Sequence, residues 1–355
     1  MGAGGEKEKE IQMLKDKIEK ELQPQIDKLK KEKNEKTIKE QELIEKNIQL
    51  GNTIKKQNEE ELLKINCPII LESEITKEKV IGEGAFGKVY KGYYKNQEIA
   101  IKKIKLIEKA PEIYANLVNE IKVIKKADTP EVPKFYGLMK KNGCYRLIIE
   151  FIKGKTFKEA YPMMNYNEKL IGLYKLSKIL ESFHEKLLIH RDIKPSNVML
   201  KEDGSLILID FGVTKIASHT STYTTLQKGT VPYMPPEQFQ IDFHKYEDPN
   251  IDDIKPVMIS TKSDVWSLGV MTSEIFSGVL PYYNINNNKR PSEYLIMKRL
   301  MDKIPFPIPI NLDDNIKNIV QKATMIDIGD RATAKEIKEL FEILIKNNNI
   351  DISNI

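Results

Sequence analysis

Four polar residues that could do chemistry lie close together in the stretch IHRDIKPSNVMLKEDGSLILIDFG, residues 189–212. Asp192, Lys194 and Asn197 share one short segment, and Asp210 follows the apolar run LILI. Carboxylate and amide oxygens can hold a metal ion, a lysine can neutralise a phosphate, and a carboxylate can accept a proton from a hydroxyl. The stretch is therefore either surface decoration or one site that handles a metal, a phosphate and a hydroxyl together.

A second candidate lies upstream, where Gly82, Gly84 and Gly87 form a GxGxxG pattern. A dinucleotide-binding fold would continue from the third glycine into a helix, whereas this chain continues as KVYKGYY, which has strand spacing. A Walker A loop would need Ser or Thr after Gly-Lys, and neither is present. The pattern predicts a β-hairpin whose glycines let backbone amides approach phosphates, with Val89 over an adenine-like ring.

A lysine and a glutamate downstream of the glycines form a third candidate. Lys102 ends the strand-like run IAIK, and Glu120 lies in the helical run NLVNEIKVIKK. A lysine in an apolar strand usually extends its ammonium to the surface. If Glu120 holds it, Lys102 can instead present that ammonium to phosphate oxygens in a fixed geometry.

In their order along the chain, these segments resemble the motifs of eukaryotic protein kinases over about residues 74–345. The resemblance rests on Gly82–Val89, Ala100–Lys102, Glu120, HRDIKPSN, DFG, PPE and DVWSLG. It implies an α+β, two-lobed protein kinase fold, with a small β-rich N-lobe at about 74–150 and a larger helical C-lobe at about 151–345. Strand-like runs in the first part and helical periodicity after residue 165 favour the same α+β order.

The resemblance also assigns roles to the residues of the opening stretch. Asp192 would orient the substrate hydroxyl and accept its proton, Lys194 would neutralise the moving phosphoryl group, and Thr230 would contact both. Asn197 and Asp210 would hold Mg²⁺, with Mn²⁺ as an alternative ion. Three further residues are expected to pack rather than to catalyse: Ile124, His190 and Phe211.

The nucleotide implied by the resemblance is ATP. Glu150 would offer its backbone carbonyl to the adenine and Ile152 its amide. Ile149 would lie behind the ring and Met199 beneath it. The complete set of nucleotide-binding candidates is Ile81, Gly82, Gly84, Gly87, Val89, Ala100, Lys102, Ile149, Glu150, Ile152 and Met199.

The expected acceptors are serine and threonine side chains of proteins. Asp192-Ile193-Lys194 resembles serine/threonine kinases, of the tyrosine-kinase-like or sterile-kinase-like groups, and Thr230 in GTVPYMPPE favours the same class. The alternatives are a dual-specificity kinase, a small-molecule kinase of similar fold, and a catalytically weak scaffold that signals through the N-terminal helices. No expected catalytic residue is missing, which disfavours the scaffold.

Two departures from the family pattern stand near the substrate side. Pro235 replaces the usual alanine before Pro-Glu, and Ala332 follows Arg331 where proline is usual. The resemblance still implies a buried ion pair between Glu237 and Arg331. The segment 241–262 is longer than is typical and acidic, so it is either a docking surface for basic substrates or a flexible insertion.

Control by phosphorylation is a further expectation from the resemblance. Arg191 precedes Asp192, a pairing that marks kinases switched by phosphorylation of the activation segment. Thr224 and Thr225 are the best-placed acceptors, and a phosphate there would offer oxygens to the Arg191 guanidinium. The alternative is a polar loop whose hydroxyls are unused.

The segment before these motifs, residues 1–67, has a different character. Residues 6–64 contain 15 Lys and 15 acidic residues, with no arginine and no aromatic residue. Acid-before-base pairs such as Glu32/Lys36 favour helix, whereas Pro24 and Gly51 weaken it. Apolar residues at three- and four-residue steps indicate either a coiled coil, pairing two copies or a partner helix through residues 6–64, or a solvated helical tail.

The composition of the whole 355-residue chain excludes several classes. A net charge of +5 without a basic block gives only weak support for nucleic-acid binding, and no nucleic-acid partner is expected. Two cysteines and no apolar run of membrane-spanning length predict an intracellular protein without an integral membrane segment. Myristoylation of Gly2 is not expected, because Glu6 occupies the position where that motif has Ser or Thr.

Overall fold

A computed structural model describes residues 3–21, 23–84, 87–104, 111–141, 144–219, 221–224, 229–239, 257–283 and 291–351. The chain divides into two compact units, with the first boundary between Glu61 and Leu62. Among the helices described, none is both long enough and apolar enough to cross a membrane.

The N-terminal unit is helical. Helix α1 spans Ala3–Glu21 and α2 spans Gln23–Lys64, and we call these two helices the arm. Pro24 is the second residue of α2, where the missing N–H costs no hydrogen bond, and α2 continues through Gly51. Apolar side chains at the predicted steps are more than half exposed: Ile11, Leu14, Ile18 and Leu29.

The second unit begins with a five-stranded antiparallel sheet. Its strands are β1 (Ile75–Gly84), β2 (Gly87–Tyr94), β3 (Gln97–Lys103), β4 (Phe135–Lys141) and β5 (Cys144–Glu150), in the spatial order β1-β2-β3-β5-β4. Helix α3 (Pro111–Ala127) lies between β3 and β4 in sequence. Side-chain alternation sends Ile99 and Ile101 to one buried cluster, whereas Leu138 and Leu147 join α3 in another.

Residues upstream of β1 also pack on this sheet. Ile69 forms a parallel bridge with Leu138, and Ile70 is 2% exposed. The Ile70 N–H donates to the Leu138 carbonyl at 2.8 Å, and the Leu138 N–H donates to the Pro68 carbonyl at 2.8 Å. The folded region therefore extends upstream of residue 74.

The following part of the unit is mostly helical, as the α+β prediction requires. Its helices are α4 (Phe157–Ala160), α5 (Tyr166–Glu185), α6 (Thr261–Ser277), α7 (Glu293–Met301), α8 (Asp314–Ala323) and α9 (Ala334–Asn347). Its strands are β6 (Gly154–Thr156), β7 (Leu188–Ile189), β8 (Val198–Lys201), β9 (Leu206–Leu208), β10 (Lys215–Ile216), β11 (Ser221–Thr224) and β12 (Val257–Ser260). They form the small sheets β6-β8-β9, β10-β7 and β11-β12.

Helix α6 is the buried centre of the helical part. Ser260 caps its first turn by accepting the Lys262 N–H at 3.0 Å, and Trp266 is fully buried. A Cβ at Gly269 would lie 2.5 Å from the Ala323 side chain, so glycine allows α8 to approach closely. This contact and the fully buried middle of α6 make it a rigid support for the loop that follows β7.

Candidate active site

The loop after β7 is held by one buried carboxylate on α6. Asp264 is 0% exposed, and its two oxygens accept the backbone N–H groups of His190 and Arg191, each at 2.8 Å. Arg191 has a φ of 70°, a left-handed conformation that costs free energy in a non-glycine residue. The carboxylate bonds offset that cost and fix where the loop places Asp192.

Asp192 is the centre of a hydrogen-bonded cluster. Its Oδ2 accepts Lys194 Nζ at 2.7 Å and Asn197 Nδ2 at 2.8 Å. Its Oδ1 accepts the Thr230 hydroxyl at 2.7 Å, and that hydroxyl also accepts Lys194 Nζ at 2.6 Å. The cluster places a carboxylate, an ammonium and the Thr230 hydroxyl around one point. A substrate hydroxyl could bind there in place of the Thr230 hydroxyl.

Asn197 and Asp210 are joined through the backbone. The Ile209 N–H donates to the Asn197 carbonyl at 2.9 Å, so Asp210 follows directly on a residue bonded to Asn197. Within the described part of the chain, both side-chain hydrogen bonds of Asn197 use its amide nitrogen, and its amide oxygen is an atom that could bind a cation. Asp210 has a φ of 67°, a second strained position at this site.

Lys102 bridges two carboxylates. Its ammonium lies 2.8 Å from Glu120 Oε1 and 2.9 Å from Asp210 Oδ1. Burial alone would lower the pKa of Lys102, but the two carboxylates outweigh it and raise the pKa well above the usual value. Burial would raise the pKa of Asp210, yet the Lys102 ammonium holds that pKa below its usual range. Lys102 and Asp210 are therefore charged near neutral pH. Burial raises the pKa of Glu120 above its usual value, against the lowering effect of the Lys102 ammonium.

The register of the sheet places several nucleotide-binding candidates on one face. Val89 pairs with Lys102 and Ala100 pairs with Ile149, and directly opposed residues of an antiparallel pair share a face. Ala100 and Lys102 are two residues apart on β3, so all four side chains share that face. Gly82 pairs with Val89, and a Cβ there would meet nothing within 4 Å, so the space above it is open.

The other nucleotide-binding candidates lie at the edges of this face. Gly84 pairs with Gly87 at the end of the β1–β2 hairpin, whose two intervening residues lie outside the described part of the chain. Ile81 is 40% exposed, and Glu150, Ile152 and Met199 are half-buried. Met199 belongs to β8, in a different sheet from the other candidates.

The three residues expected to pack are buried together behind the site. Phe211 stacks on Phe183 with ring centroids 6.1 Å apart, and His190 approaches Phe211 edge-on at 5.5 Å. Ile124 and Phe211 belong to the same core cluster. Burial lowers the pKa of His190, so this imidazole is neutral.

The expected ion pair on the substrate side is present. Arg331 donates to both carboxylate oxygens of Glu237, at 2.7 and 2.9 Å, and the Ser263 hydroxyl donates to the same carboxylate at 3.0 Å. Arg331 is 1% exposed, with its guanidinium 5.1 Å from the Trp266 ring centroid. The two departures from the family pattern, Pro235 and Ala332, leave this pair intact.

The expected regulatory residues are described only in part. Arg191 is buried, donates to the Val213 carbonyl at 3.3 Å, and has a pKa that burial lowers to about 10, so it stays cationic. Thr224 ends β11, which pairs with β12, and Thr225 lies outside the described residues. Of the acidic segment 241–262, only the part from residue 257 onward is described, as β12 and the start of α6.

Asp264 and His184 support the loop that carries Asp192, and neither residue was predicted from the sequence. His184 Nε2 lies 3.0 Å from Asp264 Oδ2, the oxygen that accepts the His190 N–H, so it adds a third contact to this carboxylate. The available signal was an acidic residue at the start of DVWSLG, directly before the apolar pair Val265 and Trp266. A buried carboxylate of that kind requires partners, which here are backbone N–H groups.

Comparison with known proteins identifies the family of the second unit. Residues 75–340 match the family model described as protein kinase domain. The chain is 29% identical over 282 residues to mitogen-activated protein kinase kinase 2 of Arabidopsis thaliana, covering 75% of this chain and 71% of that protein.

Other relatives are longer proteins, of which this chain matches only a part. Cytokinesis protein sepH of Aspergillus niger is 29% identical over 263 residues, 72% of this chain but 18% of sepH. Serine/threonine-protein kinase pakH of Dictyostelium discoideum is 28% identical over 280 residues, 75% of this chain and 49% of pakH.

Proposed function

Because the chain belongs to the protein kinase domain family, we propose that it is an ATP-dependent serine/threonine protein kinase. The observation that carries this proposal is the Asp192 carboxylate, which contacts Lys194 Nζ and the Thr230 hydroxyl at 2.7 Å each. A carboxylate in that position can orient a substrate hydroxyl and accept its proton. Lys194 can neutralise charge on the phosphoryl group as it moves.

The residues on the nucleotide side fit a triphosphate and a divalent ion. Lys102, held by Glu120, can contact phosphate oxygens, while Asp210 and Asn197 provide two hard oxygen ligands. In the described residues no group of three or more His, Cys, Asp or Glu could hold a metal alone. Two protein oxygens suit Mg²⁺, which takes further ligands from phosphates and water and neutralises their charge when bound.

Purified protein tests the catalytic assignment directly. The protein is incubated with radiolabelled ATP, Mg²⁺ and a generic basic protein, beside the Asp192→Asn variant. We expect phosphate transfer by the wild type and a loss of about 100-fold or more in the variant. Equal transfer by both proteins would remove the role given to Asp192.

Serine and threonine specificity is supported by the contact between Lys194 and Thr230. This contact holds the segment that contains Thr230 next to Asp192. Matched peptides with Ser, Thr or Tyr at a single acceptor position test it. We expect transfer to Ser and Thr only, and comparable transfer to Tyr would instead support dual specificity.

Control by phosphorylation is the next part of the proposal. Arg191 lies directly before Asp192 and is buried and cationic, and a guanidinium can bind a phosphate with a forked geometry. A phosphate on Thr224 or Thr225 would then link the activation segment to the Asp192 loop. Dephosphorylation followed by an activity assay and mass spectrometry of residues 218–230 tests this. Undiminished activity after complete dephosphorylation would contradict the switch and leave the kinase assignment standing.

The arm is proposed to pair with a second copy of itself. Its exposed Ile11, Leu14 and Ile18 follow a three-and-four spacing, and burial of such a stripe is what stabilises a coiled coil. Sedimentation of the full chain and of residues 62–355 tests it, with Ile18→Lys in the full chain as the point variant and Lys17→Glu as its control. Equal oligomeric states in all four proteins would leave the arm a solvated tail.

A further inference from the structure

Residues 65–74 connect the arm to β1, and we call them the brace. Pro68–Ile70 add to the free edge of β4 through two backbone hydrogen bonds of Leu138, each 2.8 Å long. Lys141 of β4 forms an ion pair with Glu72. The brace therefore extends the sheet that carries Lys102 by one parallel bridge at its β4 edge.

The seat of the brace has a specific shape. Ile70 is 2% exposed and fills a cluster with Ile99, Ile101, Met139 and Ile148, whereas the adjacent Ile69 is 62% exposed. A Cβ at Gly137 would lie 2.5 Å from the Pro68 carbonyl oxygen and 3.0 Å from Ile70 Cδ1. Glycine at this position thus leaves room for the brace, which any other side chain would push away.

The brace also contacts α3. Lys125, in the last turn of α3, donates its ammonium to the carbonyl of Ile65 at 2.7 Å and to that of Asn66 at 3.3 Å. Glu120 lies on the same helix, one to two turns before Lys125, and pairs with Lys102 at 2.8 Å. One segment therefore touches both the sheet that holds Lys102 and the helix that holds Glu120.

We propose that the brace is a positioning element for phosphoryl transfer, which fixes the end of α3 against β4 so that Glu120 meets Lys102. Burial of Ile70 supplies most of the attachment, and the Lys125 contacts select the position of α3 along it. The inference rests on the proposed function, because its consequence is a correctly placed Lys102 ammonium. Ile70 and Lys125 touch no substrate and act through Glu120.

Matched variants on neighbouring residues test the brace in the full-length protein. Ile70→Ser and Lys125→Met are compared with Ile69→Ser and Lys126→Met, which change exposed side chains of the same types. We expect kcat to fall roughly 10-fold for Ile70→Ser and about 3-fold for Lys125→Met, within the range of long-range coupling. The controls should stay within about 1.5-fold of wild type, a change too small to matter on that scale.

Two readouts separate positioning from general loss of stability. Amide exchange in Leu117–Ile124 should accelerate in Ile70→Ser and Lys125→Met but not in the controls, at a temperature where all the variants are folded. In a Glu120→Ala background, adding Lys125→Met should cause no further loss of kcat, because the pair that the brace positions is already broken. Lys125→Arg keeps the donor and should restore activity.

The outcomes are distinct. Additive losses in the Glu120→Ala background, or Ile70→Ser and Lys125→Met that match their controls in kcat and amide exchange, would overturn the brace. If Ile70→Ser does not fold, the Lys125 series decides alone. A wild type without phosphate transfer would contradict the proposed function, and amide exchange in α3 would then still support or overturn the brace.

Discussion

Lys28–Glu32 in the arm and Lys102–Glu120 in the sheet-bearing unit join the same residue types in different environments. The first pair lies 4.0 Å apart with side chains 79% and 58% exposed, and the second lies 2.8 Å apart with side chains 13% and 6% exposed. An exposed pair contributes about 0–1 kcal/mol, whereas removing one partner of a buried pair costs about 3–5 kcal/mol. Local spacing suffices to form the first pair, while the second needs a folded sheet and helix around it.

The largest expected difference between the two pairs is the change in kcat when the lysine of each is replaced by methionine. Lys102→Met should reduce kcat about 100-fold or more, because the proposed contact of its ammonium with phosphate oxygens is lost, whereas Lys28→Met should leave kcat unchanged. Steady-state assays with ATP and a serine peptide measure both. Similar kcat values for the two variants would show that the buried pair has no catalytic role.

The next largest effect concerns stability rather than rate. Arg331→Met leaves the Glu237 carboxylate buried without its charge partner and should lower the free energy of unfolding by about 3–5 kcal/mol. Lys346→Met removes an exposed partner of Glu342 and should change it by less than about 0.5 kcal/mol. Urea unfolding of both variants measures the contrast, and equal midpoints would refute it.

A smaller effect is the pH dependence of the free energy of unfolding that the buried His190 causes. The arm contains no histidine and has no counterpart to it. Burial holds the pKa of His190 below its ordinary value of 6.5. As the pH falls below 6.5, this histidine therefore becomes protonated in the unfolded chain while it is still neutral in the folded chain. The stability contributed by the neutral imidazole is thus complete above pH 6.5 and is lost toward acid.

The His190→Phe variant isolates this dependence. Wild-type protein should lose more unfolding free energy between pH 7.5 and 5.5 than His190→Phe does, by up to about 1 kcal/mol. Urea unfolding at the two pH values gives the difference. An equal pH dependence in both proteins would mean that His190 titrates normally in the folded state.

The smallest expected effect concerns the exposed Lys28–Glu32 pair of the arm. Glu32→Gln removes the acidic partner of Lys28. It should change the free energy of unfolding of the arm's helices by less than about 0.5 kcal/mol, so their thermal midpoint should shift little. Circular dichroism of residues 1–61 measures it. A large loss of helix would show that this exposed pair contributes more than its geometry indicates.

Much of the fold class was predictable because motif order along the chain is tied to one α+β arrangement. Pairs such as Lys102–Glu120 and Glu237–Arg331 lie in contact as the motif order implied. Each residue type already carried its own chemical requirement, since a buried lysine or arginine needs a carboxylate.

Asp264 and Ile70 show why the rest could not be predicted. Asp264 acts on backbone N–H groups of residues 190 and 191, and any sequence can supply backbone donors, so no residue pattern announces the contact. Ile70 lies between the exposed Ile69 and Leu71, and three consecutive aliphatic residues give no pattern that identifies the buried one. Both contacts depend on which chain segments the tertiary fold brings together.

The parallel bridge between Ile69 and Leu138 has a consequence for the behaviour of fragments. A fragment that begins at Ile75, where the family match begins, would lack the segment that bridges the outer edge of β4 and would expose the apolar residues that Ile70 covers. Open strand edges beside apolar surface recruit other chains by edge-to-edge pairing. Such a fragment should precipitate or self-associate, while one that begins at Leu62 stays dispersed at the same concentration.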